Sequence, residues 1–240
     1  MDKKPKGASP KGVPPKGVPP KGVPPKAILF DFDGVLVDNE PIHLKMFQKV
    51  LAEEGVRLTR QDYYTKYLGM DDKGCFSAVL KAAGRPTSVA YLHLLTRRKT
   101  RCYKEFVAKH LKFLPGVKEF IQEASKNSCL GIVSGALREE ILLILGLGGL
   151  KKYFSVIVSA EDVKNGKPNP EGYLLGLKKL SAFHKEKIFP RETLVVEDSL
   201  WGIEAAHRAG IKCLAVTTSY PASQLKKADW VVKELSQFLI

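Results

Sequence analysis

The chain has 240 residues, of which 44% are apolar and 27% are charged, and its formal net charge is +14. This length and composition are ordinary for a globular protein with a sizeable core, and no apolar run approaches the roughly 18 residues that a membrane span requires. The four cysteines and five histidines show no spacing typical of metal ligands, so a zinc site is not indicated.

The amino-terminal segment, residues 1–26, differs from the rest of the chain. Lys-Gly-Val-Pro-Pro occurs three times between Lys11 and Pro25, and seven lysines with one aspartate give the segment +6 of the total charge. Paired prolines favour polyproline II and oppose helix formation, so we predict an extended tail. A proline-recognition ligand or an electrostatic tether is an open alternative to a dispensable tail. Because this end carries no apolar signal segment, a cytoplasmic location is expected.

The first predicted strand, Ala27–Phe30, leads into the sequence Asp-Phe-Asp-Gly-Val-Leu-Val-Asp at residues 31–38. Successive side chains of a strand point to opposite faces, so Asp31 and Asp33 would share one face. Gly34 then allows the backbone to bend close to a ligand. Two acids at the carboxyl end of a strand indicate a site for a hard cation and a phosphoryl group. A solvated acidic turn is the alternative.

Almost 100 residues separate this strand from the next predicted one, and they show helical patterns interrupted by glycine and proline. An insertion of this length is predicted to be a domain in itself. Its predicted helices are Pro41–Glu54, Arg60–Tyr67, Lys73–Ala83 and Ala90–His110.

From residue 116 onwards, apolar strands alternate with amphipathic helices, which predicts an α/β fold with a parallel sheet. Polar groups follow two of these strands: Ser134 ends one, and Glu197 with Asp198 ends another. Lys167 precedes a helix start that is marked by two prolines. Ligands bind at the carboxyl ends of strands in such sheets. The predicted strands are Cys129–Ser134, Val156–Ser159, Leu194–Glu197, Cys213–Val216 and Trp230–Val232, and the predicted helices are Val117–Lys126, Arg138–Leu145, Glu171–Leu180 and Gly202–Ala209.

In four segments the chain resembles the haloacid dehalogenase-like (HAD) hydrolase superfamily, and the resemblance extends from Ala27 to the end of the chain. The first motif of that family, DxDGxxxD, is matched letter for letter from Asp31, and its later motifs match Ser134, Lys167 and the pair Glu197-Asp198. The resemblance is greatest to the group that contains β-phosphoglucomutase, phosphoglycolate phosphatase and small sugar phosphatases. It implies a Rossmann-like core formed by residues 27–38 and 116–240, with a four-helix cap formed by residues 39–115.

The resemblance also implies a role for each motif residue. Asp31 would be the nucleophile that forms an aspartyl-phosphate, although a carboxylate there could instead only ligate a metal while free water attacks. Asp33 would protonate the leaving alcohol, later activate water, and contact the metal through its carbonyl oxygen. The metal ligands Asp31, Asp33, Glu197 and Asp198 present only oxygen, which favours Mg²⁺. The predicted phosphate ligands are Ser134, Gly135, Ala136 and Lys167, of which Ser134 and Lys167 are also predicted to be catalytic.

The predicted cap offers fewer signals about the substrate. His43 matches a cap-hinge histidine of the phosphoglucomutase group, but packing within its helix is an open alternative. Lys73 is a candidate substrate ligand. The mutases carry an arginine near this position, where the present chain has Asp71 and Asp72, and this departure argues against recognition of a second phosphate. The charged side chains from Arg97 to Arg101 are predicted to form a solvated helix face.

Together these features predict a magnesium-dependent phosphatase that acts on a small phosphomonoester, such as a sugar phosphate or phosphoglycolate. It is expected to be a monomer or homodimer with no membrane partner and no specific nucleic-acid partner. A β-phosphoglucomutase-like phosphotransferase, using the same Asp31 and Asp33, is the alternative. A third hypothesis is a binding protein whose basic tail docks on nucleic acid or an acidic partner. It predicts degraded motifs, whereas the acids, the serine and the lysine are all present.

Overall fold

The computed structural model describes residues 24–68, 70 and 72–238, so nearly all of the predicted tail (residues 1–26) lies outside the described residues. The strands in the described part are β1 (Ala27–Phe30), β2 (Cys129–Val133), β3 (Phe154–Val158), β4 (Thr193–Glu197), β5 (Lys212–Val216) and β6 (Trp230–Val232). They form one parallel sheet in the order β3-β2-β1-β4-β5-β6. The predicted α/β fold is confirmed.

Helical segments fill the stretch between β1 and β2, which we call the helical insertion (residues 40–110). They are α1 (Glu40–Glu53), α2 (Arg60–Asp62), α3 (Asp72–Ala82) and α4 (Val89–His110). A π-helix over Tyr63–Tyr67 continues α2, whereas a regular helix was predicted for Arg60–Tyr67. The wider turn is closed by the Leu68 N–H, which donates to the Tyr63 carbonyl oxygen at 2.9 Å.

Further helices connect the remaining strands. They are α5 (Val117–Ala124), α6 (Arg138–Leu147), α7 (Glu171–His184) and α8 (Leu200–Arg208). In the described part of the chain, we find no helix whose length and apolar character would suffice to cross a membrane.

Helices cover the sheet on both faces, which is why β1 is apolar at every position and fully buried. Alternate residues of β1 belong to different hydrophobic clusters. Phe30 packs with residues of α5 and α6 on one face, whereas Leu29 packs with residues of α7 and α8 on the other. A strand that is held from both sides gives a rigid base for the residue that follows it.

β1 lies at the centre of the sheet, between β2 and β4, and this position brings the motifs together. Phe30 is aligned with Ile132 of β2 on one side and with Val196 of β4 on the other. Along the chain, β2 and β3 lie on one side of β1, whereas β4, β5 and β6 lie on the other. Open α/β sheets bind ligands at such a switch point. Asp31 and Ser134 follow β1 and β2, while β4 ends in Glu197, so the three meet at one edge.

The helical insertion has a hydrophobic cluster of its own and is also packed against the sheet domain. Phe47, Phe76 and Leu95 are among the buried residues of this cluster. Tyr103 of α4 instead joins the cluster that covers β1. The two chain crossings between insertion and sheet run side by side, because the Leu114 N–H donates to the Leu36 carbonyl oxygen at 2.9 Å.

Candidate active site

Three carboxylates form the centre of the site at the carboxyl ends of β1 and β4. Asp31 is anchored by its own N–H, which donates to the Val196 carbonyl oxygen at 2.9 Å. Asp31, Glu197 and Asp198 are all buried, and each offers one carboxylate oxygen within 4.8 Å of those of the other two. The sequence prediction placed these residues together, and the sheet does bring them together.

Lys167 supplies the positive charge that faces this cluster. Its ammonium group donates to Asp31 Oδ1 and to Glu197 Oε1, each at 2.6 Å, and to the Val133 carbonyl oxygen at 3.2 Å. Burial alone would lower the pKa of Lys167, but the carboxylates of Asp31 and Glu197 raise it above its ordinary value. Lys167 therefore stays charged at neutral pH and links the end of β4 to the end of β1.

The three carboxyl groups differ in their pKa values. Burial raises the pKa of Asp31 to about 6, in spite of the opposing effect of Lys167. Burial, with the negative charges of Asp31 and Glu197, raises the pKa of Asp198 to about 8. Burial also opposes ionisation of Glu197, yet Lys167 and hydrogen bonds from Tyr173 and Ser199 hold its pKa below the ordinary value.

This electrostatic arrangement fits a divalent cation. One lysine faces three carboxylates, and the donor set contains only oxygen, which is the preference of Mg²⁺. Both oxygens of Glu197 already accept hydrogen bonds, from Lys167 and Tyr173 on Oε1 and from backbone and hydroxyl donors on Oε2. Asp31 and Asp198 are therefore better placed than Glu197 to bind a cation directly.

Asp33 lies beside the cluster but outside it. The side-chain amide of Asn39, at the start of α1, donates to Asp33 Oδ1 at 2.9 Å. Burial and then the charge of Asp31 raise the pKa of Asp33 to about 8. Although part of its surface is accessible, Asp33 therefore holds a proton at neutral pH. The predicted contact of its carbonyl oxygen with a metal stays a prediction.

Two glycines make room for the acidic side chains. Gly34 has a φ of +79°, and a Cβ atom there would lie 1.8 Å from Asp198 Oδ2. Gly202, on α8, would place a Cβ atom 1.8 Å from the carboxylate of Glu197. Any side chain at either position would displace a carboxylate of the cluster. The sequence pattern indicated the first of these glycines but not the second.

Ser134 and the two residues after it occupy the turn that follows β2. Ser134 is buried, and its N–H donates to the Val158 carbonyl oxygen at 2.9 Å. The Ala136 N–H donates to Ser134 Oγ at 3.0 Å, so this amide is engaged within the turn. Gly135 is exposed. Phosphate binding by Ser134, Gly135 and Ala136 stays a prediction.

Three hydroxyl groups support the acids of the cluster. The Tyr173 hydroxyl is buried and donates to Glu197 Oε1 at 2.8 Å. Ser199 caps α8 by accepting from the Gly202 N–H at 3.0 Å and also donates to Glu197 Oε2 at 2.9 Å. Ser219, in the loop after β5, donates to Asp198 Oδ2. These hydroxyls orient the acids of the cluster.

The insertion contributes a second polar group, centred on Lys99 of α4. The Lys99 side chain is 1% exposed, which corrects the prediction that the charged residues of this helix form a solvated face. Arg97 and Arg101 are indeed exposed, but Lys99 points inward. Its ammonium group lies 2.7 Å from His43 Nδ1 and donates to Asp72 Oδ1 at 2.6 Å.

His43 lies partly buried between α1 and α4 and is held by packing as well as by this contact. Its ring stacks on Tyr103 with 4.7 Å between the ring centroids. Burial, and then the charge of Lys99, lower the pKa of His43 to about 3, so the ring is neutral at physiological pH. Lys73, the other predicted substrate ligand, is exposed on α3, and its role stays a prediction.

Comparison with known proteins identifies the family of the chain. The model of the haloacid dehalogenase-like hydrolase family matches residues 28–216. The phosphorylated carbohydrates phosphatase of Thermotoga maritima is 34% identical over 188 residues, which cover 78% of this chain and 82% of that protein.

Two solved structures share the fold. CbbY from Rhodobacter sphaeroides in complex with phosphate has a TM-score of 0.77 at 24% identity, over 89% of this chain and 96% of that one. β-Phosphoglucomutase from Clostridium difficile has a TM-score of 0.74 at 23% identity, over 90% and 93%. From the family match over most of its length, we conclude that the chain belongs to the haloacid dehalogenase-like hydrolases.

Proposed function

We propose that the protein is a magnesium-dependent phosphatase that hydrolyses a small phosphomonoester of the sugar-phosphate type. The observation that carries the proposal is the buried group of Asp31, Glu197 and Asp198, with Lys167 at 2.6 Å from the first two. The similar Thermotoga protein is named a phosphatase of phosphorylated carbohydrates, and the similar CbbY structure holds phosphate.

Asp31 is the proposed nucleophile. Lys167 holds Oδ1 of Asp31, and the other carboxylate oxygen attacks the phosphorus atom. A bond forms between this oxygen and phosphorus while the bond from phosphorus to the alcohol oxygen breaks. The negative charge that moves onto the leaving oxygen must be neutralised by a proton, and the neighbouring acid can supply it.

Asp33 is the proposed donor of that proton. Its pKa of about 8 keeps it protonated at neutral pH, as a general acid requires. After the alcohol leaves, the ionised Asp33 takes a proton from water, and the resulting hydroxide oxygen attacks the phosphorus of the aspartyl-phosphate. Inorganic phosphate departs and Asp31 is regenerated.

Mg²⁺ is proposed to bind Asp31 and Asp198, with the Asp33 carbonyl oxygen and Glu197 as further candidates. Bound there, it would neutralise negative charge that otherwise keeps a phosphate away from a carboxylate nucleophile. Ser134 and Lys167 are the proposed ligands of the transferring phosphoryl oxygens, together with the amide of Gly135.

The helical insertion, extended to residues 39–115, is proposed to be a cap domain that covers the substrate. Two features support this. The chain crosses between insertion and sheet at one paired junction, next to the loop that carries Asp33. The inward-facing residues His43 and Lys99 lie on the insertion, whereas Asp31 and Asp33 lie on the sheet side. Closure would exclude water from the aspartyl-phosphate until the alcohol has left.

The test is the release of inorganic phosphate from a panel of phosphorylated sugars, with Mg²⁺ and with a chelator. We expect magnesium-dependent release, which Asp31→Asn lowers by several orders of magnitude without changing the circular dichroism spectrum. Acid quenching during turnover should trap a phosphoryl group on Asp31. Sugar-phosphate isomerisation that needs a bisphosphate primer, with no net phosphate release, would instead establish a phosphotransferase.

A further inference from the structure

The edge of the sheet at which the strands begin, opposite the candidate active site, carries a row of cationic side chains. Every strand of the described part is preceded, or begun, by lysine or arginine. We define the basic edge as the short segments that lead into the strands, which are residues 24–26, 125–128, 148–153, 185–192, 209–212 and 226–229. Across the sheet, its cations are Lys151 and Lys152 at β3, Lys126 at β2, Lys26 at β1, Lys185, Lys187 and Arg191 at β4, Lys212 at β5, and Lys226 and Lys227 at β6.

The parallel arrangement of the strands places these segments side by side. The Cys129 N–H, at the start of β2, donates to the Lys26 carbonyl oxygen at 2.8 Å, and the Lys26 ammonium group lies 2.7 Å from Glu186 in the segment before β4. Neighbouring strands are 4.7–4.9 Å apart, so six strands give a row about 24 Å long. The basic edge is therefore one continuous surface.

The two edges of the sheet differ in the sign of their charge. The basic edge has ten lysine and arginine residues against three acids, which are Glu186, Glu192 and Asp229. The segments that follow the strands have seven acids and three lysines instead, and they are residues 31–39, 134–137, 159–170, 198–199, 217–225 and 233–238. Four helices, α5 to α8, end at the basic edge, and their dipoles together place about two negative charges there. The positive surplus is larger, so complementing helix ends does not account for it.

Most cations of the basic edge are available to a partner. Lys26 is paired with Glu186 and Glu192, and Lys126 is paired with Glu123. Among the described residues, seven exposed cations have no carboxylate partner, and these are Lys151, Lys152, Lys185, Lys187, Arg191, Lys212 and Lys227. Unpaired surface cations bind a polyanion favourably because its condensed counterions are released.

The amino-terminal tail joins this surface at its centre. Lys26, the last residue of the tail, directly precedes β1, which lies in the middle of the sheet. Six further lysines come before it in the sequence, and from Lys6 to Lys26 a lysine occurs at every fifth residue. The tail therefore adds its charge of +6 to the same side of the molecule.

The shape of the basic edge favours a linear polyanion over a membrane. Stable attachment to a membrane takes an apolar face or a lipid anchor in addition to a basic patch. Leu147 and Phe183 are exposed at the ends of α6 and α7 near this edge, but these helices cover opposite faces of the sheet, so the two side chains do not form one apolar face. A nucleic-acid duplex instead presents a line of phosphates, with one charge per about 1.7 Å of its axis.

We propose that the basic edge and the tail bind the phosphate backbone of a nucleic-acid duplex without reading its bases. Contacts to phosphates carry no sequence information, so the binding is independent of sequence. The candidate active site lies at the opposite edge of the sheet and stays open to a small substrate while the duplex is bound. This function is separate from the proposed phosphatase activity and does not depend on it.

The experiment measures the fluorescence anisotropy of a labelled DNA duplex of about 20 base pairs, which is longer than the row. The full-length protein should bind two unrelated sequences with the same Kd within threefold. Raising the salt from about 50 to 200 mM should weaken binding at least a hundredfold, as about four or more phosphate contacts require. Absence of binding at the lower salt concentration would overturn the proposal.

Three triple variants locate the binding surface. Lys151→Gln/Lys187→Gln/Lys227→Gln removes three charges from the basic edge, and Lys11→Gln/Lys16→Gln/Lys21→Gln removes three from the tail. Each should weaken binding at least tenfold at the lower salt concentration and reduce the slope of log K against log salt by about 2–3.

The matched control removes the same number of charges from the helical insertion. Lys49→Gln/Lys81→Gln/Lys109→Gln changes exposed residues of α1, α3 and α4 and should leave Kd within about twofold of the wild type. Equal weakening by the edge triple and by this control would mean that net charge alone binds the duplex, and would overturn the proposal.

Vesicles of three parts phosphatidylcholine to one part phosphatidylserine test the other anionic surface. Tighter binding to these vesicles than to the duplex, with loss in the edge triple, would assign the basic edge to a membrane and overturn the proposal. Circular dichroism should show that the edge triple is folded. If it is not, the tail triple decides, since its substitutions precede the sheet in the sequence: unchanged duplex binding in that variant would contradict the proposal.

Discussion

At the scale of single residues, the site depends on compensation between buried charges. Lys167 is within 2.6 Å of both Asp31 and Glu197, and Glu197 is completely buried. An ionised carboxylate without such a partner would have to leave the interior or take up a proton. Lys167 thus has two consequences: it keeps Glu197 ionised, and it fixes one oxygen of Asp31 so that the other can face a substrate.

The pKa of His43 gives a prediction for stability against pH. The folded protein binds a proton at His43 only near pH 3, whereas an unfolded chain does so near pH 6.5. Between these values the unfolded state binds more protons, so acidification destabilises the fold. From pH 7 to 5 the loss attributable to His43 should be about 2 kcal/mol.

The measurement is urea unfolding of the wild type and of His43→Gln across this range. The difference in unfolding free energy between the two proteins should change with pH, because the amide of the variant cannot titrate. His93→Gln, at an exposed position of α4, should instead track the wild type. A constant difference between wild type and His43→Gln from pH 7 to 5 would show that His43 does not stay neutral in the folded state.

Residues of the sheet edge could be found from sequence, whereas the burial and contacts of Lys99 could not. Asp31, Ser134 and Lys167 each occur where an apolar run stops or a helix begins, and the sheet topology alone makes such positions converge. Lys99 looks like one more member of a charged run. Its burial depends on Asp72 and His43, which lie 27 and 56 residues away and on different helices. No local pattern encodes that contact.

At the scale of elements, the absence of a side chain at Gly202 allows helix α8 to pack close to strand β4. Gly202 stands in the first turn of α8, directly against the carboxylate of Glu197. Alanine is normally better than glycine in a helix, by about 1 kcal/mol. Gly202→Ala should nevertheless lower the unfolding free energy and weaken magnesium binding, since the new methyl group must displace Glu197 from Lys167 and Tyr173.

A second glycine provides the control for this substitution. Gly146 lies in α6 with nothing within 4 Å of the position that a Cβ atom would take. Gly146→Ala should therefore raise the unfolding free energy by about 0.5–1 kcal/mol, as helix propensity alone predicts. Calorimetric unfolding of both variants decides the matter, and equal stabilisation by the two alanines would contradict close contact at Gly202.

Most elements could be predicted because their apolar periods are clear, and the exceptions have physical causes. β3 begins at Phe154 and not at the predicted Val156, because pairing with β2 extends it by two residues beyond its apolar centre. The π-helix Tyr63–Tyr67 follows from a shift of backbone hydrogen bonds, which side-chain periodicity does not reveal. The boundaries proposed for the cap at residues 39 and 115 stay a prediction.

At the scale of the whole molecule, metal binding and stability should be linked. In the absence of a cation, burial and the negative charges of Asp31 and Glu197 oppose ionisation of Asp198. Ligands that bind only the folded state stabilise it, by about 2.7 kcal/mol at a concentration one hundredfold above Kd. Adding Mg²⁺ to chelator-treated protein should therefore raise the unfolding temperature by several degrees.

Asp198→Asn is the variant that checks this linkage. It removes a proposed direct ligand but keeps a side chain of similar shape beside Ser219. The magnesium-induced shift should be lost in the variant, while its unfolding temperature in chelator should stay close to that of the wild type, because without a cation Asp198 already holds a proton at neutral pH. An undiminished shift in Asp198→Asn would place the ion elsewhere.

The side chain of Asn39 links the helical insertion directly to the proposed proton donor. Asn39 is the residue from which α1 departs, and its amide is the hydrogen-bond donor to Asp33. A swing of the helices away from the sheet would pull this amide off the carboxyl group. Asp33 would then lose its alignment whenever the cleft between the insertion and the sheet opens. Solvent could therefore enter the cleft only while Asp33 is out of position.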